Sequence, residues 1–221
     1  MLKNERPIER VTVVQSIVDR LRERILRNDL KEGDVLRQEA LAEAFSVSRM
    51  PVREALKELE VEGLVVFHPH RGATVSRLEV SDVEELFDLR ILIECDLVCR
   101  AAVRATEDDY ERCREAIEAM ETAYANHDVS QWGALNWAFH AAMYGPADRV
   151  RSLALVQNLN VNIDRYVRIQ LSLQDSAIEQ AKREHRDLFE AYQEGKQKEL
   201  RSMLQRHLIG ARDALIAAFK S

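Results

Sequence analysis

The chain has 221 residues, of which 46% are hydrophobic and 32% are charged, a balance typical of a folded globular protein. Only seven glycines and four prolines are present, which favours a helix-rich fold with few loops. No apolar run approaches the roughly 20 residues of a membrane helix, and residues 1–10 lack the apolar core of a secretory signal. We therefore expect a cytoplasmic protein with no membrane partner.

The charge of the chain is distributed unevenly. The net charge of −6 argues at first against binding to nucleic acid. However, residues 1–78 carry 14 basic and 13 acidic side chains, whereas residues 79–221 carry 18 basic and 25 acidic ones. The acidity belongs to the second part, so the charge of the first part permits DNA binding.

Hydrophobic spacing predicts three helices in the first part of the chain. Four apolar residues at helical intervals indicate the first helix: Val14, Ile17, Leu21 and Ile25. After a break at Gly33, a second short helix is predicted over residues 38–45, with Leu41, Ala44 and Phe45 as its buried residues. The third is predicted from about Ser48 to Glu62, with a core stripe of Val52, Ala55, Leu56 and Leu59.

Two β-branched runs then flank residues 68–72, which predicts a β-hairpin. Three helices followed by a hairpin form the outline of a winged helix-turn-helix, and we assign this domain to residues 1–78. We expect the tip of its third helix to enter the DNA major groove.

The start of the third helix, "SVSRMPVREAL", combines helix-starting residues with two arginines. Ser48 is a suitable N-cap, and Pro51 is tolerated in a first helical turn, so the helix begins between these two residues. Arg49 and Arg53 lie one turn apart, and guanidinium groups at a helix tip can bind guanine or phosphate. From spacing alone, two arginines on a solvated surface explain the pattern equally well.

The segment "LRERILRNDLKEGDVL" and the pattern "VSRMPVREALKELEVEGL" resemble the DNA-binding domain of the GntR family of bacterial transcription regulators. The resemblance implies that Arg49 and Arg53 contact bases or phosphates and that the wing reaches the minor groove. The residues it assigns to the DNA interface are Ser48, Arg49, Met50 and Arg53 at the helix tip and His70, Arg71 and Gly72 at the wing tip. The family usually has Thr in place of Met50 and Gly in place of Ser46, so the operator sequence is expected to be atypical.

The remaining residues, 79–221, are predicted to form an antiparallel bundle of six helices, so the whole chain is expected to be mainly α-helical. Capping-box patterns at Ser81 and Ser176, and a cap at Thr106, mark three helix starts. The six predicted helices cover about residues 81–104, 106–125, 128–145 (or 130–145), 147–170, 176–195 and 195–219. Cys95, Cys99 and Cys113 fall within these helices; buried thiols are the simpler interpretation, and a metal pair at Cys95 and Cys99 is the alternative.

Three histidines lie within the apolar stripes of three different helices. His140, His185 and His207 occupy these positions, and Asn136 lies one turn before His140 on the same face. Burial of three imidazoles costs free energy unless each has a partner, and one shared metal would satisfy all three. Histidines satisfied separately within the core are the alternative.

The segments "DLRILIECDLVCRAA", "NWAFHAAM" and "EHRDLFEAYQEGKQKELRSMLQRHL" resemble the FCD domain, the ligand-binding domain of one large GntR subfamily, in its six-helix VanR-like form. Such domains commonly bind a divalent metal and then a small organic acid whose carboxylate reaches the metal. The positions that match their ligands are Asn136, His140, His185 and His207. One oxygen and three nitrogen ligands suit zinc or nickel, and the neutral amide of Asn136 is a weaker ligand than the aspartate of many relatives.

Arg90 matches an arginine that points into the ligand pocket of these relatives, so the resemblance assigns it to effector binding. An ion pair with Glu94, one turn later on the same helix, is the alternative; on a helix surface it would stabilise by a few tenths of a kcal/mol.

The sequence therefore predicts a regulator that binds a palindromic operator as a homodimer and responds to a small organic acid. One alternative is a regulator whose bundle serves only for dimerisation, without metal or effector. A metal-dependent enzyme is the other alternative, but no acidic residue beside the histidine motifs is an evident general base.

Overall fold

The computed structural model describes residues 13–68, 72–173 and 175–220. The chain forms two compact units that divide between Arg77 and Leu78. The described residues are mainly helical, with one small antiparallel sheet in the first unit. None of the described helices has the length and apolar character needed to span a membrane.

The first unit is a winged helix-turn-helix, as predicted. Its elements are α1 (Val13–Leu26), β1 (Val35–Leu36), α2 (Gln38–Ala44), α3 (Arg49–Val61), β2 (Val65–His68) and β3 (Gly72–Val75). The strands form an antiparallel sheet in the order β1-β3-β2. Strand β1 was not predicted because a two-residue strand is too short to show any alternation of apolar and polar residues.

Helices α1 and α3 provide most of the core of this unit. The predicted stripe of α3 is fully buried, and three of the four predicted residues of α1 are buried; Val14 is half-buried. The prediction for α2 is wrong: Ala42 is its buried residue, whereas Leu41 and Phe45 are half-buried and Ala44 is exposed. A helix of seven residues has too few turns for its spacing to identify one face.

The second unit contains six α-helices within its described residues, in agreement with the predicted number. They are α4 (Val80–Ala102), α5 (Glu107–Ala125), α6 (Val129–Tyr144), α7 (Val150–Leu173), α8 (Asp175–Gln193) and α9 (Gln197–Lys220), with a 3₁₀ turn at Gly145–Ala147. Helix α4 packs mainly against α9, and α5 packs mainly against α6. A continuous hydrophobic core runs between the helices.

Several helix starts differ from the predicted ones. Glu79, not Ser81, is the N-cap of α4, and its backbone N–H donates to Asp82 over 2.8 Å. The predicted N-cap Thr106 is confirmed. Helix α7 starts later than predicted because Asp148 adopts a left-handed conformation (φ 55°), which no helix continues through. Helix α8 begins at Asp175, one residue before the predicted N-cap.

The cysteines serve the packing of α4 and α5. The Sγ atoms of Cys95 and Cys99 each lie 3.8 Å from a backbone carbonyl of α9, to which they donate weak hydrogen bonds. Burial raises the pKa of Cys95 to about 11 and that of Cys113 to about 12. The buried thiols of Cys95 and Cys113 match the simpler interpretation, whereas Cys99 is half-buried.

Candidate functional site

The tip of α3 carries the residues predicted to bind DNA. The helix begins at Arg49, so Pro51 is its third residue, where a missing N–H breaks no helical hydrogen bond. Ser48 is the N-cap by position, with an extended backbone (φ −72°, ψ 167°), but its hydroxyl makes no capping hydrogen bond within the described residues. The predicted hydroxyl cap is therefore wrong, and no bond to the backbone of α3 occupies that hydroxyl.

The side chains at this tip point toward solvent. Arg49, Met50 and Arg53 are all exposed, and Met50 shows 63% of its surface although it is apolar. The Nη1 atom of Arg49 lies 3.0 Å from Oε1 of Glu39 on α2. One of the two candidate arginines is therefore paired with a carboxylate, and this ion pair was not predicted.

The candidate wing residues fall into two groups. His70 and Arg71 lie outside the described residues. Gly72 is buried, with φ +101°, and a Cβ atom on it would lie 2.3 Å from the backbone oxygen of Leu36. The structure thus shows a close approach of two backbones at Gly72, and a DNA contact through Gly72 stays a prediction.

In the second unit, α6, α8 and α9 bring the three candidate histidines together. The ring centroids of His140 and His185 lie 5.4 Å apart, those of His140 and His207 5.5 Å, and those of His185 and His207 5.0 Å. One nitrogen from each ring can be chosen so that all three lie within 4.8 Å of one another. His140 and His185 are buried, and His207 is half-buried.

Three buried imidazole nitrogens in this cluster have no hydrogen-bond partner within the described part of the chain. Nε2 of His140 and both ring nitrogens of His185 are buried and have no hydrogen-bond partner among the described residues. Buried polar atoms in folded proteins are nearly always bonded, because an unsatisfied one costs about 1–3 kcal/mol. Burial, with the neighbouring histidines, lowers the pKa of both rings well below the ordinary value, so they are neutral and keep lone pairs.

The other contacts of the cluster involve acidic residues. Nδ1 of His140 lies 3.1 Å from the hydroxyl of Tyr144, which in turn donates to Oε2 of Glu94 over 2.6 Å. Nδ1 of His207 lies 2.6 Å from Oε2 of Glu184. Two carboxylates, Glu94 through Tyr144 and Glu184 directly, therefore lie on the outer side of the histidine cluster.

Arg90 and Asn136 lie on two helices of this unit. The Nε–H of Arg90 donates to Oε1 of Glu94 over 2.6 Å, and both side chains are buried. The ion pair considered from the sequence therefore forms, but in the interior and not on a surface. Asn136 is half-buried on α6, one turn before His140. Contact of Arg90 with an effector and of Asn136 with a metal stay predictions.

Two family models match the two units. Residues 13–75 match the bacterial regulatory proteins of the gntR family, and residues 85–210, more than half of the chain, match the FCD domain. This chain belongs to the GntR family and carries an FCD domain.

Relatives of this GntR-family chain are named as transcription regulators. The repressor RspR of Escherichia coli is 30% identical over 175 residues, which cover 77% of this chain and 76% of RspR. The regulator LutR of Bacillus subtilis is 29% identical over 219 residues, which cover 89% of this chain and 98% of LutR. The chain is accordingly a DNA-binding transcription regulator and not an enzyme.

Solved structures share the fold of this GntR-family chain. The E. coli protein McbR/YncC matches with a TM-score of 0.82 and 20% identity over 96% of this chain and 100% of its own. A GntR regulator from Rhodococcus matches with a TM-score of 0.77 and 22% identity over 93% of this chain and 98% of its own. At this identity the likeness establishes the architecture alone.

Sequence reasoning missed two residues of the histidine cluster. Tyr144 lies one turn after His140, at the spacing that places both on one helix face, and Glu184 directly precedes His185 in the chain. Nothing in the sequence around either residue indicates that its side chain contacts a histidine. Glu94 was considered only as a partner of Arg90, although it also accepts a hydrogen bond from Tyr144.

Proposed function

We propose that this regulator is a metabolite-responsive repressor in which the FCD domain holds a divalent metal and a small organic acid. The observation that carries the proposal is the convergence of three imidazoles, two of which, His140 and His185, have buried nitrogens without a hydrogen-bond partner among the described residues. Relatives named as repressors, including RspR and the gluconate operon repressor of Bacillus subtilis, support the direction of regulation.

The DNA-binding role is proposed for the exposed tip of α3 and for the wing. Arg49 and Arg53 are exposed one turn apart, the arrangement needed for two contacts in one major groove. The apolar side chain of Met50 lies between them and can contact a thymine methyl group. The hydroxyl of Ser48 can bind phosphate, and His70, Arg71 and Gly72 are proposed to form the wing contact.

The metal site is proposed to consist of Asn136, His140, His185 and His207. Neutral imidazoles are good ligands for borderline divalent ions, which makes zinc or nickel the best candidates. Such an ion supplies an open coordination position for the carboxylate of an effector. The chain's own contribution is to bring the three rings together and, by burial, to keep those of His140 and His185 neutral.

Arg90 is proposed as the second contact of the effector. Its guanidinium already binds Glu94 through Nε, so a carboxylate would use the remaining N–H groups of the fork. An organic acid that reaches both the metal and Arg90 is held at two points. This requirement favours small acids with a carboxylate and a second oxygen group.

The regulator is proposed to act as a homodimer on a palindromic operator, because helix-turn-helix units bind such sites in symmetric pairs. Helix α4 exposes Leu89 and Leu92, which supports an apolar contact between copies. We propose that residues 1–78 bind DNA and that residues 79–221 bind the effector and form the dimer. A cytoplasmic location follows from the proposed role on DNA.

A second candidate is a regulator whose bundle only dimerises. The observation in its favour is the buried pair of Arg90 and Glu94, since an arginine with a carboxylate partner does not need an effector. In this case the histidines would be core residues, and operator affinity would not respond to any organic acid.

Elemental analysis of tag-free protein, purified without chelator, separates the two candidates. We expect about one zinc or nickel ion per chain, and its loss in the double variant His140→Ala/His185→Ala. Operator affinity is then measured with a panel of small organic acids, with and without metal. Absence of metal even after soaking with zinc or nickel, together with unchanged operator affinity, would contradict the proposed function.

A further inference from the structure

The hydroxyl of Tyr144 determines which nitrogen of His140 carries the proton. The 2.6 Å contact with Glu94 uses the single hydroxyl proton, because a carboxylate can only accept. The oxygen of Tyr144 therefore accepts from Nδ1–H of His140, and the lone pair of His140 is at Nε2.

Glu184 has the same effect on His207. Its carboxylate accepts from Nδ1 of His207 over 2.6 Å, so Nδ1 carries a proton, and in the neutral ring the lone pair lies at Nε2. Glu184 thus fixes the protonated nitrogen of His207, as Tyr144 does for His140.

From this geometry we infer that Tyr144, backed by Glu94, and Glu184 are positioning residues that direct Nε2 of His140 and of His207 toward the metal. This inference rests on the proposed metal site. It assigns a role to three residues that are not themselves ligands. His185 differs, because neither of its nitrogens has a partner among the described residues.

The negative charge of Glu94 and Glu184 complements a set of metal ligands that carries no negative charge. Asn136 and three histidines bring no negative charge to a divalent ion. A carboxylate bonded to the outer nitrogen of a ligand histidine makes the inner nitrogen more basic, and removal of such a partner typically lowers metal affinity by 10- to 100-fold. Glu184 acts directly, and Glu94 acts through Tyr144.

Cobalt(II) titration of the full-length protein tests this inference, with ligand-field absorption as the readout of coordination. We expect Tyr144→Phe and Glu184→Leu each to lower the affinity by about 10- to 100-fold. Glu184→Gln keeps an oxygen acceptor for Nδ1–H but loses the charge, so a smaller loss is expected. Glu179→Gln is the matched control, because Glu179 lies on the same helix, is exposed and pairs with Lys182 instead of a histidine.

A second measurement needs no metal. Long-range ¹H–¹⁵N correlation spectra of the metal-free protein report which imidazole nitrogen is protonated, and we expect Nδ1–H for His140 and His207. Glu184→Leu is expected to remove this preference at His207 and to leave His140 unchanged.

The outcomes are distinguishable. Wild-type affinity in both Tyr144→Phe and Glu184→Leu, with metal lost in His140→Ala/His185→Ala, overturns the positioning role and leaves the metal site standing. Protonation at Nε2 in the metal-free wild type also overturns it. A wild-type protein that binds no cobalt overturns the proposed function and the positioning role together.

Discussion

Arg90 and Glu94 form an ion pair inside the bundle: Nε lies 2.6 Å from Oε1, and the two side chains are only 6% and 0% exposed. The residues lie one turn apart on α4. On a helix surface this spacing is worth a few tenths of a kcal/mol. In the interior each charge depends on the other, because neither has water to replace its partner.

Removal of one charge from this pair is expected to be strongly destabilising. Glu94→Gln leaves the guanidinium of Arg90 buried without a counter-charge, and the expected loss is about 3–5 kcal/mol in the free energy of unfolding. Chemical denaturation followed by circular dichroism measures it. Asp96→Asn is the control, because Asp96 forms a pair of the same spacing and distance with Arg100 on the exposed side of α4. Equal effects of the two variants would contradict this prediction.

The stability of the metal-free protein is expected to fall as the pH drops below about 6.5. Burial lowers the pKa of His140, with help from His185, His207 and Arg90, and burial with His207 lowers that of His185. Below the ordinary histidine pKa, the unfolded chain therefore binds protons that the folded chain does not. The slope is about 1.4 kcal/mol per pH unit for each histidine, or about 2.7 for both.

Urea denaturation in the presence of chelator, between pH 8 and pH 5.5, measures this slope. The expected profile is flat above pH 6.5 and falls below it. The variant His140→Gln/His185→Gln lacks both groups and should give a shallower profile. A wild-type profile that stays flat down to pH 5.5 would exclude neutral, buried imidazoles.

Much of the fold was predictable because it follows from periodic apolar residues. The apolar stripe of α3 identified its buried face. The number of helices in the bundle followed from the apolar stripes and from the helix-ending residues between them. Strand β1 and the true N-cap of α4 were not predictable, because each depends on one or two residues without a period. The left-handed conformation of Asp148 was not predictable either, because it depends on a single residue and no sequence pattern indicates it.

Only part of the candidate site was predictable from the sequence. Histidines inside apolar stripes must face the core, and a bundle brings such faces together, so the approach of His140, His185 and His207 followed from the pattern. The contact of Tyr144 with Glu94 did not, because it joins α6 to α4 and depends on how these helices pack. The burial of Arg90 was missed for the same reason.

Gly72→Ala is expected to disrupt the sheet of the first unit. Its Cβ atom would meet the backbone oxygen of Leu36 at 2.3 Å, and the φ of +101° is unfavourable for alanine. The oxygen belongs to β1 and is fixed by the pairing of Leu36 with Ala73. We expect a loss of more than about 2 kcal/mol in the stability of this unit. Gly33→Ala is the control with a similar φ (+77°) and no atom within 4 Å, and it should cost less.

Glu39 is expected to weaken the binding of DNA by this regulator. Its carboxylate lies 3.0 Å from Nη1 of Arg49, at the helix tip proposed to bind DNA, and competes with phosphate for this guanidinium. Glu39→Gln should therefore raise the affinity for a mixed-sequence duplex several-fold at low salt, as measured by fluorescence anisotropy. Arg49→Ala should lower the affinity and reduce the slope of log K against log salt by about one.

Glu23→Gln serves as the control for charge. Glu23 is exposed on α1 and pairs with Arg27, so this variant removes one negative charge from the same unit without releasing Arg49. A general change in charge would raise DNA affinity equally in Glu23→Gln and Glu39→Gln, whereas release of Arg49 raises it only in Glu39→Gln. In the double variant Glu39→Gln/Arg49→Ala the gain from Glu39→Gln should disappear, because the cation that it releases is gone. Persistence of the gain would show that Glu39 acts on DNA through another group.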